Sequence, residues 1–203
     1  MGQGRFCSVR PSILFIGVTF HSGTSAFDFD GVGDYVLIPD SDSLDLSNSL
    51  TISMWVNPNQ HRNWQGLIGK WQKGQQSFAI TPGASGHIRW ISSVNGKGEP
   101  SNVVEGNSSI PLRTWSHVAV TKDGSALKFY LNGRLDNEAS IAAGLYVGMS
   151  SLFIGSESKA WSFDGSIDEV IVLNTALNAT ELVAIYKSGV AGNSFDKSQN
   201  KNE

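Results

Sequence analysis

The sequence lacks several features on which many fold and function classes depend. Cys7 is the only cysteine among 203 residues, so an intrachain disulfide and a cysteine-based zinc site are both excluded. The 15 Lys and Arg residues are scattered and are outnumbered by 18 Asp and Glu, which gives a formal net charge of −3. We therefore expect no nucleic-acid partner, because such a partner requires a broad basic surface.

A membrane-spanning segment is also missing. The apolar run at residues 13–20 is far shorter than the ~20 residues that cross a bilayer. Arg5 and Arg10 precede this run and small residues follow it, which is the order of a weak secretory signal. Residues 1–25 fit equally well with a terminal strand or with a remnant of a larger protein, and these alternatives stay open.

Motifs for catalysis are absent as well. The four histidines form no His-Glu-x-x-His pattern, and no Gly-x-Ser-x-Gly nucleophile elbow is present. Asp168 and Glu169 are neighbours, so on a regular strand their side chains point to opposite faces and cannot pair across a glycosidic bond. We therefore expect a protein that is not an enzyme.

Glycine is plentiful where proline is scarce, 22 against 6, which is typical of short strands joined by tight turns. The clearest example is residues 115–121 and 127–131, two strand-type runs separated by Asp123-Gly124. This dipeptide is a strong hairpin signal, because glycine accepts the positive φ that tight turns demand. A second such turn follows at Asn132-Gly133.

Strand patterns cover most of the chain. In residues 50–56 an apolar residue stands at every second position, and Pro58 ends the run. Further short runs include residues 145–147, which are predicted as a strand. The pattern predicts an all-β, antiparallel β-sandwich domain over residues 26–190.

Only one segment has helical periodicity. Leu182, Ile185 and Tyr186 recur at helical spacing, with Asn178 as a candidate N-cap and Gly189 as the expected end. Residues 191–203 are polar and are predicted to be a disordered tail. The domain is therefore expected to carry one short C-terminal helix.

Four pieces of the sequence resemble the laminin G-like domains of the concanavalin A-like lectin/glucanase group. Residues 29–36 look like the opening Phe-Asp-Gly-x-x-Asp-Tyr-Val, and residues 50–58 look like the family's Trp-Val-x-Pro strand. Residues 115–133 look like its Trp-His-His-Val-Ala-Val-Thr hairpin, with Ser116 where the family often has His. Residues 163–170 look like its Phe-x-Gly-x-Ile-Asp-Glu-Val segment. The pieces occur in family order, and the resemblance implies a jelly roll.

The resemblance also implies a function. It indicates a non-catalytic binding module for a carbohydrate or glycan, or an extracellular adhesion domain whose partner is a glycoprotein, secreted or outside the cell. Glucanases of this group carry Glu-x-Asp-x-x-Glu on one strand, and that triplet does not occur here. The alternatives are a glycoside hydrolase or polysaccharide lyase of the same fold, and a protein-interaction domain from a larger extracellular protein.

A calcium ion is the cofactor that the resemblance implies. Members of the group often bind one structural calcium, and by resemblance Asp30 and Asp168 would be its side-chain ligands. Carboxylates beside glycine-rich turns suit this hard cation. The alternative is that both residues cap turns through Asx hydrogen bonds and bind no metal.

Three tryptophans are candidates for sugar binding. Trp64, Trp71 and Trp161 lie in or beside polar loops, and a sugar ring needs an aromatic face with polar partners around it. The alternative is packing within the sandwich, which is the stronger interpretation for Trp55 and Trp90 in strand runs. We predict Trp64, Trp71 and Trp161 as ligand-binding residues.

Overall fold

The computed structural model describes residues 26–97, 102–159 and 161–193. The segment 1–25, with its candidate signal, lies outside the described residues, as do residues 194–203 of the predicted tail. Among the described residues, no helix is long and apolar enough to cross a membrane.

Twelve strands of the described residues form two antiparallel sheets, in agreement with the predicted sandwich. The first sheet contains β1 (Phe27–Asp30), β3 (Ser49–Pro58), β8 (Ser116–Asp123), β9 (Ala126–Leu131), β10 (Arg134–Ser140) and β12 (Asp164–Leu173). The second contains β2 (Val36–Ile38), β4 (Ile68–Lys70), β5 (Gln76–Pro82), β6 (His87–Gly96), β7 (Asn102–Ser109) and β11 (Leu152–Ile154). Their orders are β1-β12-β3-β8-β9-β10 and β2-β11-β4-β5-β6-β7.

The hydrophobic core lies between the two sheets. The alternating residues of β3 predicted to share one face all enter it: Leu50, Ile52, Met54 and Val56. From the second sheet, Phe78 and Trp90 stack on one another with centroids 5.6 Å apart. Trp90 is therefore a core residue, as its strand position indicated.

The hairpin of β8 and β9 has the predicted geometry. Asp123 pairs with Ala126, and Gly124 between them has φ 54°. Asn132 and Gly133, with φ 51° and 72°, then turn the chain into β10. That last strand was not predicted, because its sequence is polar and its pattern depends on pairing with β9.

The helix α1 (Ala179–Asn193) packs on the outward face of the first sheet. Asn178 caps it, accepting hydrogen bonds from the N–H groups of Thr180 and Glu181 at 2.9 and 3.1 Å. The predicted end at Gly189 is wrong. A Cβ on Gly189 would lie 2.2 Å from Nε1 of Trp55, so this glycine lets the helix approach the sheet and does not stop it.

The other predicted boundaries also shift. The helix continues to Asn193, within the segment predicted as a tail. Residues 145–147 form no strand; Tyr146 instead donates its N–H to the carbonyl of Ser93 at 2.8 Å. A short apolar run can form a strand or an irregular segment, because the result depends on whether a partner strand lies beside it.

Candidate functional site

Three connecting loops meet at one end of the sandwich. They are residues 31–35 between β1 and β2, residues 59–67 between β3 and β4, and residues 155–163 between β11 and β12. Gly33 donates its N–H to Oγ of Ser162 at 2.9 Å, and Gly66 donates its N–H to the carbonyl of Trp161 at 2.7 Å. We call this end of the sandwich, formed by the three loops, the three-loop end.

Two of the predicted sugar-binding residues lie at the three-loop end. Trp64 is 40% exposed and Trp161 is 57% exposed. Both have positive φ, 69° and 61°, as does Lys159 at 72°. Bulky residues rarely adopt this conformation, so the surrounding contacts must hold it. The third prediction, Trp71, is half-buried directly after β4, at the other end of that strand from Trp64.

The ring of Trp64 packs against an ion pair on the second sheet, formed by Arg89 and Glu105. The guanidinium carbon of Arg89 lies 5.1 Å from the centroid of the Trp64 ring. Arg89 in turn donates from Nε and contacts with Nη2 the same carboxylate oxygen of Glu105, at 2.7 and 2.6 Å. Arg89 and Glu105 are direct cross-strand partners in β6 and β7. This pair could not be predicted from the sequence, because the register of the two strands is not a local property.

Beside this pair, an apolar row crosses the outward face of the second sheet. Its members are consecutive pairing partners: Leu37, Phe153, Gly69, Ala79, Ile91 and Val103. Its middle members are buried, while Leu37 is 40% and Val103 is 51% exposed at the ends. The middle of the row is covered from outside, with the ring of Tyr35 5.4 Å from that of Phe153, so only the two ends of the row offer apolar surface to a ligand.

Buried polar atoms lie near the Trp64 and Trp161 loops. Among the described residues, Nε2 of Gln65, Oγ1 of Thr81 and Oε2 of Glu157 are buried without a hydrogen-bond partner. A Cβ on Gly66 would lie 2.1 Å from the backbone nitrogen of Glu157, so the two loops are in direct contact. Burial raises the pKa of Glu157 to about 7.

The predicted calcium ligands are not brought together. In the register of β1 and β12, Asp30 lies opposite Asp164, so Asp168 is four positions further along β12, roughly 13 Å away. Asp30 accepts the N–H of Val32 at 2.7 Å, which is the bond of an Asx turn. Asp168 accepts the N–H of the next residue, Glu169, at 2.7 Å.

Within the part of the chain that the structure describes, no group of three or more His, Cys, Asp or Glu side chains is placed to hold a metal ion. Asp30 and Asp168 therefore do not fit one shared site. Calcium binding itself is not tested by this geometry and stays a prediction.

The expectation about Asp168 and Glu169 also needs correction. The ladder of β12 and β3 has a bulge between Asp168 and Ile171, and Glu169 has φ 47°. Asp168 lies opposite Trp55, and a Cβ on Gly189 of α1 would lie 2.9 Å from Oε2 of Glu169. Both carboxylates are thus on the outward face, because a bulge interrupts the alternation of side chains. Glu169 lies against the helix.

The sequence of this chain matches the model of a known family over most of the sandwich. The model of the concanavalin A-like lectin/glucanases superfamily matches residues 30–183, which run from the last residue of β1 through β12 to the start of α1. The chain belongs to this superfamily. The resemblance seen in the four sequence pieces is thereby confirmed, and so is the antiparallel sandwich that it implied. No curated protein matches the chain by sequence.

Solved structures similar to this superfamily member include several binding domains. Domain 4 of AbnA, a GH43 extracellular arabinanase from Geobacillus stearothermophilus, in complex with arabinotriose, is 20% identical with TM-score 0.60, covering 86% of this chain and 87% of that one. The CBM40 of the Ruminococcus gnavus IT-sialidase, bound to alpha2,3 sialyllactose, is 18% identical with TM-score 0.62, covering 80% and 97%.

A third similar structure is a botulinum neurotoxin type C, whose cell entry depends upon interaction with two ganglioside molecules. It is 12% identical with TM-score 0.65, covering 87% of this chain but only 46% of the toxin chain. At these identities the three structures show that the fold is shared. They also show that binding domains are well represented among the similar structures.

Proposed function

We propose that this domain is a non-catalytic carbohydrate-binding module that acts outside the cell. The observation that carries the proposal is the pair of exposed indoles, Trp64 and Trp161, on two loops joined by the Gly66–Trp161 hydrogen bond of 2.7 Å. Exposed aromatic rings next to polar loop groups are how proteins hold the apolar face and the hydroxyls of a sugar.

The similar structures support the same class of ligand. One is a domain in complex with arabinotriose and another is bound to sialyllactose, and the first belongs to an enzyme described as extracellular. Their ligands come to this chain only as part of the proposal, since the identities of 20% and 18% establish the fold alone.

The experiment is a binding screen followed by substitution of the two indoles. The protein is screened against soluble plant and bacterial polysaccharides and against a glycan array, and the best ligand is then titrated calorimetrically. Trp64→Ala and Trp161→Ala should each weaken binding by roughly three- to thirtyfold, because a stacked aromatic ring contributes on the order of 0.5–2 kcal/mol.

One variant serves as the control and another tests the third predicted tryptophan. Leu135→Ala removes an exposed apolar side chain from β10 of the first sheet and should leave affinity unchanged. Trp71→Ala tests whether the indole beyond β4 contributes, and a loss there would extend the site along the second sheet.

Other outcomes would support different functions. A blank result across polysaccharides and glycans would overturn the proposal and favour a protein-interaction domain. Release of reducing sugar or of unsaturated product from any polysaccharide would favour the glycoside hydrolase or polysaccharide lyase alternative.

A further inference from the structure

Glu105 binds the guanidinium group of Arg89, which could otherwise bind the carboxylate of an acidic sugar. Arginine recognises carboxylates through parallel donors on its planar fork. In this structure Nε and Nη2 of Arg89 both contact Oε1 of Glu105, at 2.7 and 2.6 Å. The face of the same guanidinium is covered by Trp64, 5.1 Å away.

The Glu105 carboxylate is also presented on the ligand side. Glu105 is paired with Arg89 across the strands, and Trp90 next to Arg89 points into the core. Strand alternation therefore places the Arg89–Glu105 pair on the outward face, beside the apolar row. The Glu105 side chain is 39% exposed while that of Arg89 is 14% exposed, so an approaching ligand meets the anion before the cation.

The neighbouring charges do not offset this arrangement. Lys159 and Arg62 are exposed cations in the two tryptophan loops, and such strongly solvated groups add little to a specific contact. Asp30 and Asp34 are exposed carboxylates at the same end and add little for the same reason. Among the described residues, Glu157 adds a buried carboxyl oxygen that has no partner.

We propose that the Arg89–Glu105 pair makes the three-loop end selective for neutral glycans over glycans that carry a carboxylate, with Glu105 as the residue that determines the selectivity. This inference rests on the proposed carbohydrate-binding function and specifies its ligand class. The similar structures include ligands of both kinds, arabinotriose and sialyllactose, so the fold leaves the choice to local residues.

The test uses glycan pairs that differ by one acidic sugar: lactose with alpha2,3 sialyllactose, and xylotetraose with the same oligosaccharide bearing glucuronic acid. These are titrated together with any neutral ligand found in the screen and its uronic-acid derivative. The wild-type protein should bind the neutral member of a pair at least ~10-fold more tightly, since like-charge contacts oppose the acidic one.

Glu105→Gln should raise affinity for the acidic member by roughly five- to tenfold and leave the neutral member nearly unchanged, because it frees the Arg89 fork. Adding Arg89→Met should abolish that gain. Glu138→Gln is the matched control: it makes the same substitution in the Lys128–Glu138 pair of 3.7 Å on the first sheet and should not alter the ratio.

Each result decides something. Wild-type preference for the acidic member, or an equal effect of Glu105→Gln on both members, would overturn the selectivity while sparing the carbohydrate-binding function. Failure of every neutral and acidic glycan to bind would overturn both. A preserved melting temperature for Glu105→Gln shows that a changed ratio does not come from misfolding.

Discussion

The indole ring of Trp55 stacks on the phenol ring of Tyr186, with centroids 5.7 Å apart and planes inclined by 24°. This contact joins β3 of the first sheet to α1 and covers a buried histidine, His117, whose ring is 5.5 Å from Trp55 and 5.9 Å from Tyr186. The outward face of the first sheet is therefore closed by the helix, while that of the second sheet carries the exposed tryptophan loop.

The close approach at Gly189 yields the first prediction. Gly189→Ala should cost about 1–3 kcal/mol in packing, because the new methyl group would lie 2.2 Å from Trp55 Nε1. Alanine returns ~1 kcal/mol in a helix interior, and because the contact is so short we expect a net destabilisation of up to about 2 kcal/mol. The measurement is urea unfolding followed by tryptophan fluorescence. Lys187→Ala, at an exposed helix position, should be neutral, and a Gly189→Ala protein as stable as wild type would contradict the packing argument.

His117 should make stability depend on pH. Its Nε2 lies 2.7 Å from Oγ of Ser53, its Nδ1 is buried without a partner among the described residues, and burial lowers the pKa of His117 from 6.5 to about 4. The unfolded chain binds the proton first, so the His117 contribution to stability is fully present above pH 6.5 and is lost as pH falls toward 4. The loss can reach about 3 kcal/mol.

The measurement for His117 is the free energy of unfolding at several pH values between 4 and 7. The difference in unfolding free energy between wild type and His117→Gln should fall by up to about 3 kcal/mol between pH 7 and pH 4, because this difference isolates His117 from the other titrating groups. His87→Gln, at the start of β6, is the control. Equal pH dependence of wild type and His117→Gln would show that His117 is not the titrating group.

How far the sequence predicts this molecule depends on how local each feature is. The hairpin at Asp123-Gly124 was predicted correctly, because turn chemistry and strand alternation are contained within a few residues. The role of Gly189 was predicted wrongly, because it is determined by Trp55, far away in the chain. The bulge at Glu169 was missed for a similar reason, since it exists only in the ladder with β3.

In the candidate site, too, local features could be predicted from the sequence and features that depend on strand register could not. Loop composition was enough to predict that Trp64 and Trp161 lie in loops, where the fold leaves both exposed and brings the two loops into contact; their role in sugar binding stays a prediction. It was not enough to predict the pairing of Arg89 with Glu105, which needs the register of β6 and β7. Nor was it enough to show that Asp164, and not Asp168, faces Asp30.

Calcium binding, predicted with Asp30 and Asp168 as ligands, remains a prediction. The strand register separates these two residues, so a single ion would contact one of them, and Asp30 is chosen for the test because Asp164 lies opposite it. We expect calcium to raise the melting temperature and EDTA to lower it, since an ion bound only by the native state must stabilise that state. Asp30→Asn should remove the shift and Asp168→Asn should retain it. A melting temperature that responds to neither calcium nor EDTA would count against a calcium site in the folded protein.

Glu157 should impose a pH dependence opposite in sign to that of His117. Burial raises the pKa of Glu157 from 4.5 to about 7, so the folded protein holds this proton more tightly than the unfolded chain. The Glu157 contribution to stability is therefore fully present below pH 4.5 and is lost as pH rises through 7. Glu157→Gln keeps the shape of the side chain without the charge and should stabilise the protein at pH 8 by about 1–3 kcal/mol.

Near pH 4.5 the Glu157→Gln variant and wild type should be almost equally stable, because both side chains are then neutral in the fold. Urea unfolding at pH 4.5 and pH 8 measures the difference, and Glu138→Gln, at an exposed position of the first sheet, controls for the loss of one surface charge. If Glu157→Gln stabilised the protein equally at both pH values, the effect would come from packing, and ionisation of a buried carboxyl beneath the tryptophan loops would be ruled out as its cause.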